Sequence, residues 1–193
     1  VCGGFDGSTT GDWTAIRLET VDAYQFTPTY GPDARPTYWN PAEWPNHRIP
    51  RSEVHAAVHE IFTQCEVERF YCDPRDWQSE IEEWALEFGE EHVIEWDTGR
   101  GSTRIPVVFA MLERFVTDLT TGTLTHDGCQ MTGIHIANAR KMAKPGDRYI
   151  LGKPSEDQKI DLAMASALCH EAAADARAAR WGEDVDTRMT VWR

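Results

Sequence analysis

Val1-Cys-Gly-Gly-Phe-Asp6-Gly-Ser-Thr-Thr-Gly-Asp12-Trp-Thr-Ala-Ile16 opens the chain, and the rest is organised around it. Two apolar runs, residues 1–5 and 13–19, flank a Gly/Ser/Thr-rich turn. That is the pattern of a β-hairpin with Asp6 at the end of its first strand. An Asp beside Gly7 and Ser8 is by itself an ordinary turn former, and Asp12 reads as a residue that shapes the same turn. Two distant acids give Asp6 more weight. Asp73 closes a short apolar stretch in Arg-Phe-Tyr-Cys-Asp73-Pro, and Asp161 heads an alanine-rich run in Gln-Lys-Ile-Asp161-Leu-Ala-Met-Ala. Three acids from separate elements, with no serine or cysteine nucleophile pattern beside them, point to a carboxylate cage for hard divalent cations.

Working outward, residues 23–27 continue as a third strand. Residues 28–50 carry six prolines with Tyr38, Trp39 and Trp44 and keep no helical period, so they read as an ordered excursion that covers the core. Ser52 is a candidate N-cap for a helix to Gln64, with Val54, Val58, Ile61 and Phe62 on one face. A buried strand over 67–72 ends at Asp73, and Pro74 breaks it. A helix through Ile81, Trp84, Ala85 and Phe88 stops at Gly89. A strand over 92–96 and an amphipathic helix over 104–120, ended by Gly122, follow. A short 124–126 segment, a helix near 134–142, a strand over 149–151 and a last helix complete the chain. An antiparallel start followed by alternating helices and strands predicts an α/β fold, with a mixed central sheet and helices on both faces.

If the strand before Asp73 lies parallel to the first strand, Asp6 and Asp73 share the carboxyl edge of the sheet, where open α/β sheets bind ligands. Ser155-Glu156-Asp157-Gln158 has the form of a capping box, so the last helix is expected to start there. Asp157 and Asp161 then stack one turn apart on one helix face, and Asp157 joins the candidate metal ligands.

A 193-residue chain that is 41% hydrophobic fits one domain with a proper core, and no apolar run reaches bilayer length. The chain starts almost inside its first strand, which suggests a piece of a longer protein. Five cysteines without a Cys-x-x-Cys pair argue against a disulfide framework or a zinc site. A net charge of −13 disfavours indiscriminate nucleic-acid binding. The cations are clustered, however: Arg140, Lys141, Lys144, Arg148, Lys153 and Lys159 fall in one stretch and can form a basic rim beside an acidic site. His55 and His59 lack the His-Glu-x-x-His order and read as surface histidines. Thr-Gly-Arg100-Gly-Ser-Thr-Arg104 is not a nucleotide phosphate loop, but its two arginines suit a DNA backbone.

On Gly4-Phe5-Asp6-Gly7-Ser8 with Asp12-Trp13-Thr14-Ala15, Phe70-Tyr71-Cys72-Asp73-Pro74, Leu124-Thr125-His126-Asp127-Gly128, and the stretch from Asn138 to Lys159-Ile160-Asp161-Leu162-Ala163-Met164-Ala165, the chain resembles the C-terminal nuclease domain of tailed-bacteriophage terminase large subunits. The resemblance covers most of the chain and implies a ribonuclease H-like fold. It further implies a metal-dependent endonuclease, virus-encoded and working in the host cell cytoplasm, that cuts concatemeric viral DNA during genome packaging. Residues 1–193 would be one nuclease domain without its N-terminal ATPase domain. Carried over by motif, Asp6, Asp73 and Asp161 would hold two Mg²⁺ or Mn²⁺ ions, aided by Asp157. Arg100, Arg104, Arg140, Lys141, Lys144 and Lys159 are the candidate contacts to double-stranded DNA. The implied partners are the ATPase domain, the small terminase subunit and the portal, with no membrane. A junction resolvase or transposase core would use the same cage, and a non-catalytic docking module of the packaging motor is the alternative that needs none.

Overall fold

The computed structural model describes residues 1–8, 11–99, 101 and 103–183. β1 (Cys2–Asp6) and β2 (Thr14–Glu19) form the expected hairpin, with Phe5 opposite Ile16 and Asp6 opposite Ala15. β3 (Tyr24–Phe26) pairs antiparallel with β2. The proline-rich excursion holds β4 (Thr29–Tyr30), β5 (Arg35–Pro36) and β6 (Tyr38–Trp39). It does more than cover the core, because β6 pairs with β2 through Trp39 and Tyr38. Thr37 pins it there, its hydroxyl donating to the carbonyls of Ile16 at 3.1 Å and Pro28 at 3.0 Å. A two-residue strand is too short to show alternation, so periodicity does not reveal it.

α1 (Arg51–Gln64) leads into β7 (Arg69–Cys72), which lies parallel to β1. α2 (Gln78–Phe88) leads into β8 (Val93–Glu95), parallel to β7. α3 (Ile105–Thr121) ends at Gly122, whose φ of 77° is a left-handed conformation that glycine adopts without a Cβ penalty, and leads to β9 (Thr125–His126) beside β3. The mixed sheet runs β8-β7-β1-β2-β3-β9, with β6 also on β2. α4 (Gln130–Asn138), the hairpin β10 (Arg140–Lys144) and β11 (Arg148–Gly152), and α5 (Asp161–Ala178) complete the described chain. No helix among the described residues is long and apolar enough to cross a membrane.

One face of the sheet packs Phe5, Ile16, Leu18 and Phe70 against Val54, Val58, Ile81 and Trp84 of α1 and α2. The other packs Cys2 and Tyr71 against α3 and α5 through Met111, Leu112, Leu168 and Ala172. Each such side chain contributes roughly 1.5–3 kcal/mol on burial. Two glycines in β1 set how closely these layers approach. A Cβ on Gly3 would meet the Phe70 ring at 2.3 Å, and one on Gly4 would meet the Ala165 carbonyl oxygen and the Cys169 nitrogen at 2.3 Å each. α5 therefore lies directly on the backbone of β1, and its first residue reaches the sheet edge where Asp6 sits.

Three expected boundaries shift. α1 begins at Arg51 with Pro50 as its cap, so Ser52 lies inside the first turn instead of capping it. α4 ends at Asn138, and Arg140 and Lys141 stand, with Lys144, on a strand instead of a helix running to Met142. The reason is the Pro145-Gly146-Asp147 turn, where Gly146 (φ 77°) and Asp147 (φ 55°) take the left-handed conformation that closes a hairpin. The last helix starts at Asp161, not at Ser155. Residues 155–158 close only a single turn, Gln158 N–H to Ser155 O at 3.2 Å. Beyond it the Lys159 carbonyl accepts from Asn138 Nδ2 at 3.0 Å, which diverts it from a helical ladder.

Candidate active site

Asp6 ends β1 and Asp73 follows β7, so parallel pairing puts both at the same sheet edge. The Asp73 N–H extends that pairing by donating to the Phe5 carbonyl at 3.0 Å. Asp161, at the head of α5, comes to the same edge because Gly4 admits the helix. The three acids line one cleft of about 430 Å³, together with Asp12, Asp76, Asp97, Arg75 and Lys153. The end of β11 forms part of its wall through Ile150, Leu151 and Gly152.

Acids gathered this way resist ionisation. Burial raises the pKa of Asp6 well above the ordinary carboxylate range, and the charges of Asp161, Asp73 and Asp12 add to it while Arg75 opposes. Burial raises Asp161 to about 6, with Asp12 adding and the Trp13 N–H and Lys159 opposing. Burial also raises Asp73, although the Thr98 hydroxyl and the Arg75 N–H both donate to it.

Asp161 Oδ2 is buried without a hydrogen-bond partner. His135 Nδ1 lies 3.9 Å from it but already accepts the Leu162 N–H at 3.1 Å. Burial and the nearby Lys159 charge hold the His135 pKa at about 4. The neutral ring carries its proton on Nε2 and turns a lone pair, not a charge, toward Asp161. A buried anionic oxygen left this way calls for a cation. All-oxygen donors suit Mg²⁺ or Mn²⁺. Among the described residues, no three His, Cys, Asp or Glu side chains form a ready-made set for one ion. The acids share a cleft without being closed onto a point.

No family model matches the chain. Over 96% of its length it is 27% identical to the Gene 13 protein of Mycobacterium phage D29, and over 89% it is 26% identical to the Gene 13 protein of Mycobacterium phage L5. The chain spans only 31% and 29% of those proteins. Its structure superposes on the large terminase nuclease from thermophilic phage G20c with bound magnesium, with a TM-score of 0.62 at 13% identity, covering 88% of this chain and 79% of that one. It also matches the HK97 bacteriophage large terminase, with a TM-score of 0.65 at 14% identity, covering 89% of this chain and 38% of that one. The Thermus phage P74-26 large terminase nuclease domain gives 0.60 at 12% identity, over 88% and 77%. This is the fold of a large-terminase nuclease domain. Its mixed sheet flanked by helices is ribonuclease H-like.

The basic residues around this cleft divide into two groups. Arg104 is turned inward, stacking on Trp96 at 4.7 Å and donating to the Asp97 carbonyl at 2.9 Å, so it braces the loop beside Asp73. Arg100 lies outside the described residues. Arg140, Lys141 and Lys144 stand on β10 and do not line the cleft; Arg140 and Lys141 pair with Gly152 and Leu151 of its wall, whereas Lys144 pairs with Arg148 toward the hairpin turn. Lys141 is steadied by Glu113 at 3.6 Å and the Tyr149 ring at 4.1 Å. Asp157 is a correction: it is exposed, lies in the turn before α5, and does not line the cleft. His55 accepts from the Trp84 indole at 3.0 Å and His59 pairs with Glu87 at 3.1 Å, so neither approaches the acids' cleft.

Several site residues carry no sequence signal. Asp12 has the sequence setting of a turn former, yet it lines the cleft and accepts from both Lys153 Nζ and Lys159 Nζ. Burial pushes its pKa up, but the two lysines outweigh that and hold it below the usual range. Thr98 fixes one oxygen of Asp73, and His135 fixes the first turn of α5. Each acts through a tertiary contact that no local motif records.

Proposed function

We propose that this chain is the nuclease domain of a phage large terminase and a metal-dependent DNA endonuclease. The observation that carries the reading is the convergence of Asp6, Asp73 and Asp161 on one cleft, with a buried Asp161 oxygen left unpartnered. The magnesium named for the G20c nuclease supports the same metal class here. Asp6, at the sheet centre, would be shared by two Mg²⁺ or Mn²⁺ ions, with Asp73 holding one and Asp161 the other. When bound, such ions stabilise the negative charge that develops on the attacking and leaving oxygens of a phosphodiester. The chain's own part is positioning. Thr98 and the Arg75 N–H orient Asp73, and His135 fixes the helix turn that carries Asp161. The β10 cations Arg140, Lys141 and Lys144 would track the DNA backbone, and Lys159 would face the scissile phosphate.

The large-terminase fold, together with phage relatives, favours packaging over recombination as the setting. In that setting the substrate is concatemeric viral DNA in the host cytoplasm, and an ATPase domain, a small terminase subunit and the portal are the partners. Residues 1–193 would then be one nuclease domain of a longer protein. The test is cleavage of supercoiled and linear plasmid with Mn²⁺, Mg²⁺, Ca²⁺ or EDTA. Cutting is expected with the first two and none in EDTA. Undiminished cutting in EDTA would rule out the metal mechanism.

A further inference from the structure

Among the described acids of the cleft, Asp12 alone accepts hydrogen bonds from side-chain cations on its carboxylate; the Asp97 carboxylate has Arg104 Nε only at 3.8 Å. Asp12 Oδ1 accepts Lys153 Nζ at 2.7 Å and Lys159 Nζ at 2.8 Å. The three side chains are only 39%, 20% and 18% exposed. They come from three separate segments: the loop after β1, the residue after β11, and the approach to α5. Lysine is a flexible point charge whose ordering costs entropy, so a shared carboxylate that fixes two of them does something neither would do alone. Lys153 also pairs with Glu156 at 2.7 Å, but Glu156 is 89% exposed and such a pair is weak.

The surroundings say what the pair is for. Asp12 and Lys153 line the same cleft as Asp6, Asp73, Asp76, Asp97 and Asp161, where Arg75 is the other lining cation. That wall repels a DNA phosphate. Two ammonium groups on Asp12 leave about one positive charge at a fixed point beside that wall, a charge that the exposed Glu156 carboxylate on Lys153 offsets only in part because solvent screens it. Each ammonium has three donors and gives one to Asp12, so donors remain for an incoming oxygen.

We propose that Asp12 is a positioning residue that holds Lys153 and Lys159 as a preformed seat for a phosphate oxygen of the DNA strand in the cleft. This rests on the nuclease reading above and deepens it. With its Oδ1 occupied by two lysines, Asp12 acts through them, not as a further ligand for the divalent ions.

The sign of the expected effect separates this role from others. Asp12→Asn removes a negative charge, so attraction for DNA does not weaken; what is lost is placement. In Mn²⁺-dependent cleavage of a labelled duplex, Asp12→Asn should leave KM equal or lower and reduce kcat on the order of 10–100-fold. The Mn²⁺ concentration for half-activation should not move, and Asp12→Glu should recover part of the loss. Adding Asp12→Asn to the Lys153→Met/Lys159→Met pair should cost nothing further, because the three act as one unit. A large shift in Mn²⁺ half-activation would make Asp12 a metal ligand and overturn the proposal, as would wild-type kcat in Asp12→Asn or fully additive losses. If the wild-type chain cuts no DNA, the nuclease reading fails and the seat is read by binding alone. Fluorescence anisotropy of the same duplex against salt should then show the log–log slope falling by about one in the lysine double variant. An unchanged slope overturns the seat. Should Asp12→Asn fail to fold, by thermal unfolding, the lysine variants carry the same slope measurement.

Discussion

α5 carries two buried charge clusters of opposite character. At its first turn, Asp161 joins Asp6 and Asp73 in a group of desolvated acids with raised pKa values and an unpartnered oxygen. Further along, His170 and Arg177 meet Glu19, which is fully buried. His170 Nδ1 lies 3.0 Å from Glu19 and its Nε2 2.9 Å from Asp118, while Arg177 and Gln25 each reach Glu19 at 2.9 Å. With an acceptor at both ring nitrogens, His170 is an imidazolium. Burial pulls its pKa down, but Glu19 and Asp118 outweigh that and raise it. Glu19 and His170 find opposite charges within the fold, which fixes where the helix lies on the sheet; the Asp161 oxygen finds none, which is where a cation from outside would fit. The two clusters share a helix, so the structural one holds the functional one in place.

Substitutions at the two ends should therefore fail in different ways. The largest effect belongs to the cleft. Asp6→Asn, Asp73→Asn and Asp161→Asn should each cut plasmid cleavage by about 10³ or more, because one missing ligand disables a shared site, while circular dichroism stays native. A loss of only a few-fold in any of them would remove that residue from the set. Next comes Glu19→Ala, which takes a buried carboxylate from the buried His170 and the part-buried Arg177 and should cost about 3 kcal/mol in urea unfolding while leaving cleavage per folded molecule unchanged. If stability were unaffected, the structural role of the network would be lost.

A smaller effect separates the clusters by pH. Asp161 has a folded pKa of about 6 against an ordinary value of 3.8, so the folded state holds its proton more tightly. That stabilising contribution is present at low pH and is lost as pH rises from about 4 through about 6. In EDTA, Asp161→Asn should flatten this fall and gain roughly 1–3 kcal/mol at neutral pH. His170, raised above 6.5, contributes stability that is lost only as pH rises beyond that value. Guanidinium unfolding across pH 4–9 distinguishes the windows; a single fall common to wild type and Asp161→Asn would contradict the assignment. The smallest effect is that of Asp157→Asn, which should change stability by less than about 0.5 kcal/mol and cleavage not at all.

The sheet centre and its acids were legible because they rest on local patterns. Glycine pairs, alternation and Asp-Pro punctuation mark β1, β7 and their ends. The ends of α4 and α5 were not, since a side chain distant in sequence decides where α5 begins: Asn138 takes the Lys159 carbonyl and postpones the helix to Asp161. That postponement removed Asp157 from the candidate ligands and left Asp161 as the sole acid of the first turn. The clusters differ in the same way. The cleft acids announce themselves by position, whereas the Glu19, His170 and Asp118 partnership joins β2, α5 and α3 and is invisible until the chain is folded.

The most direct measurement is a Mn²⁺ titration of plasmid cleavage with the wild-type chain and Asp161→Asn in parallel. Cleavage should rise with Mn²⁺ and vanish in EDTA for the wild type, and stay near background at every concentration for the variant, with both proteins folded. Equal cleavage by the two, or cleavage by the wild type without any divalent ion, would contradict a carboxylate-held metal site built on Asp6, Asp73 and Asp161.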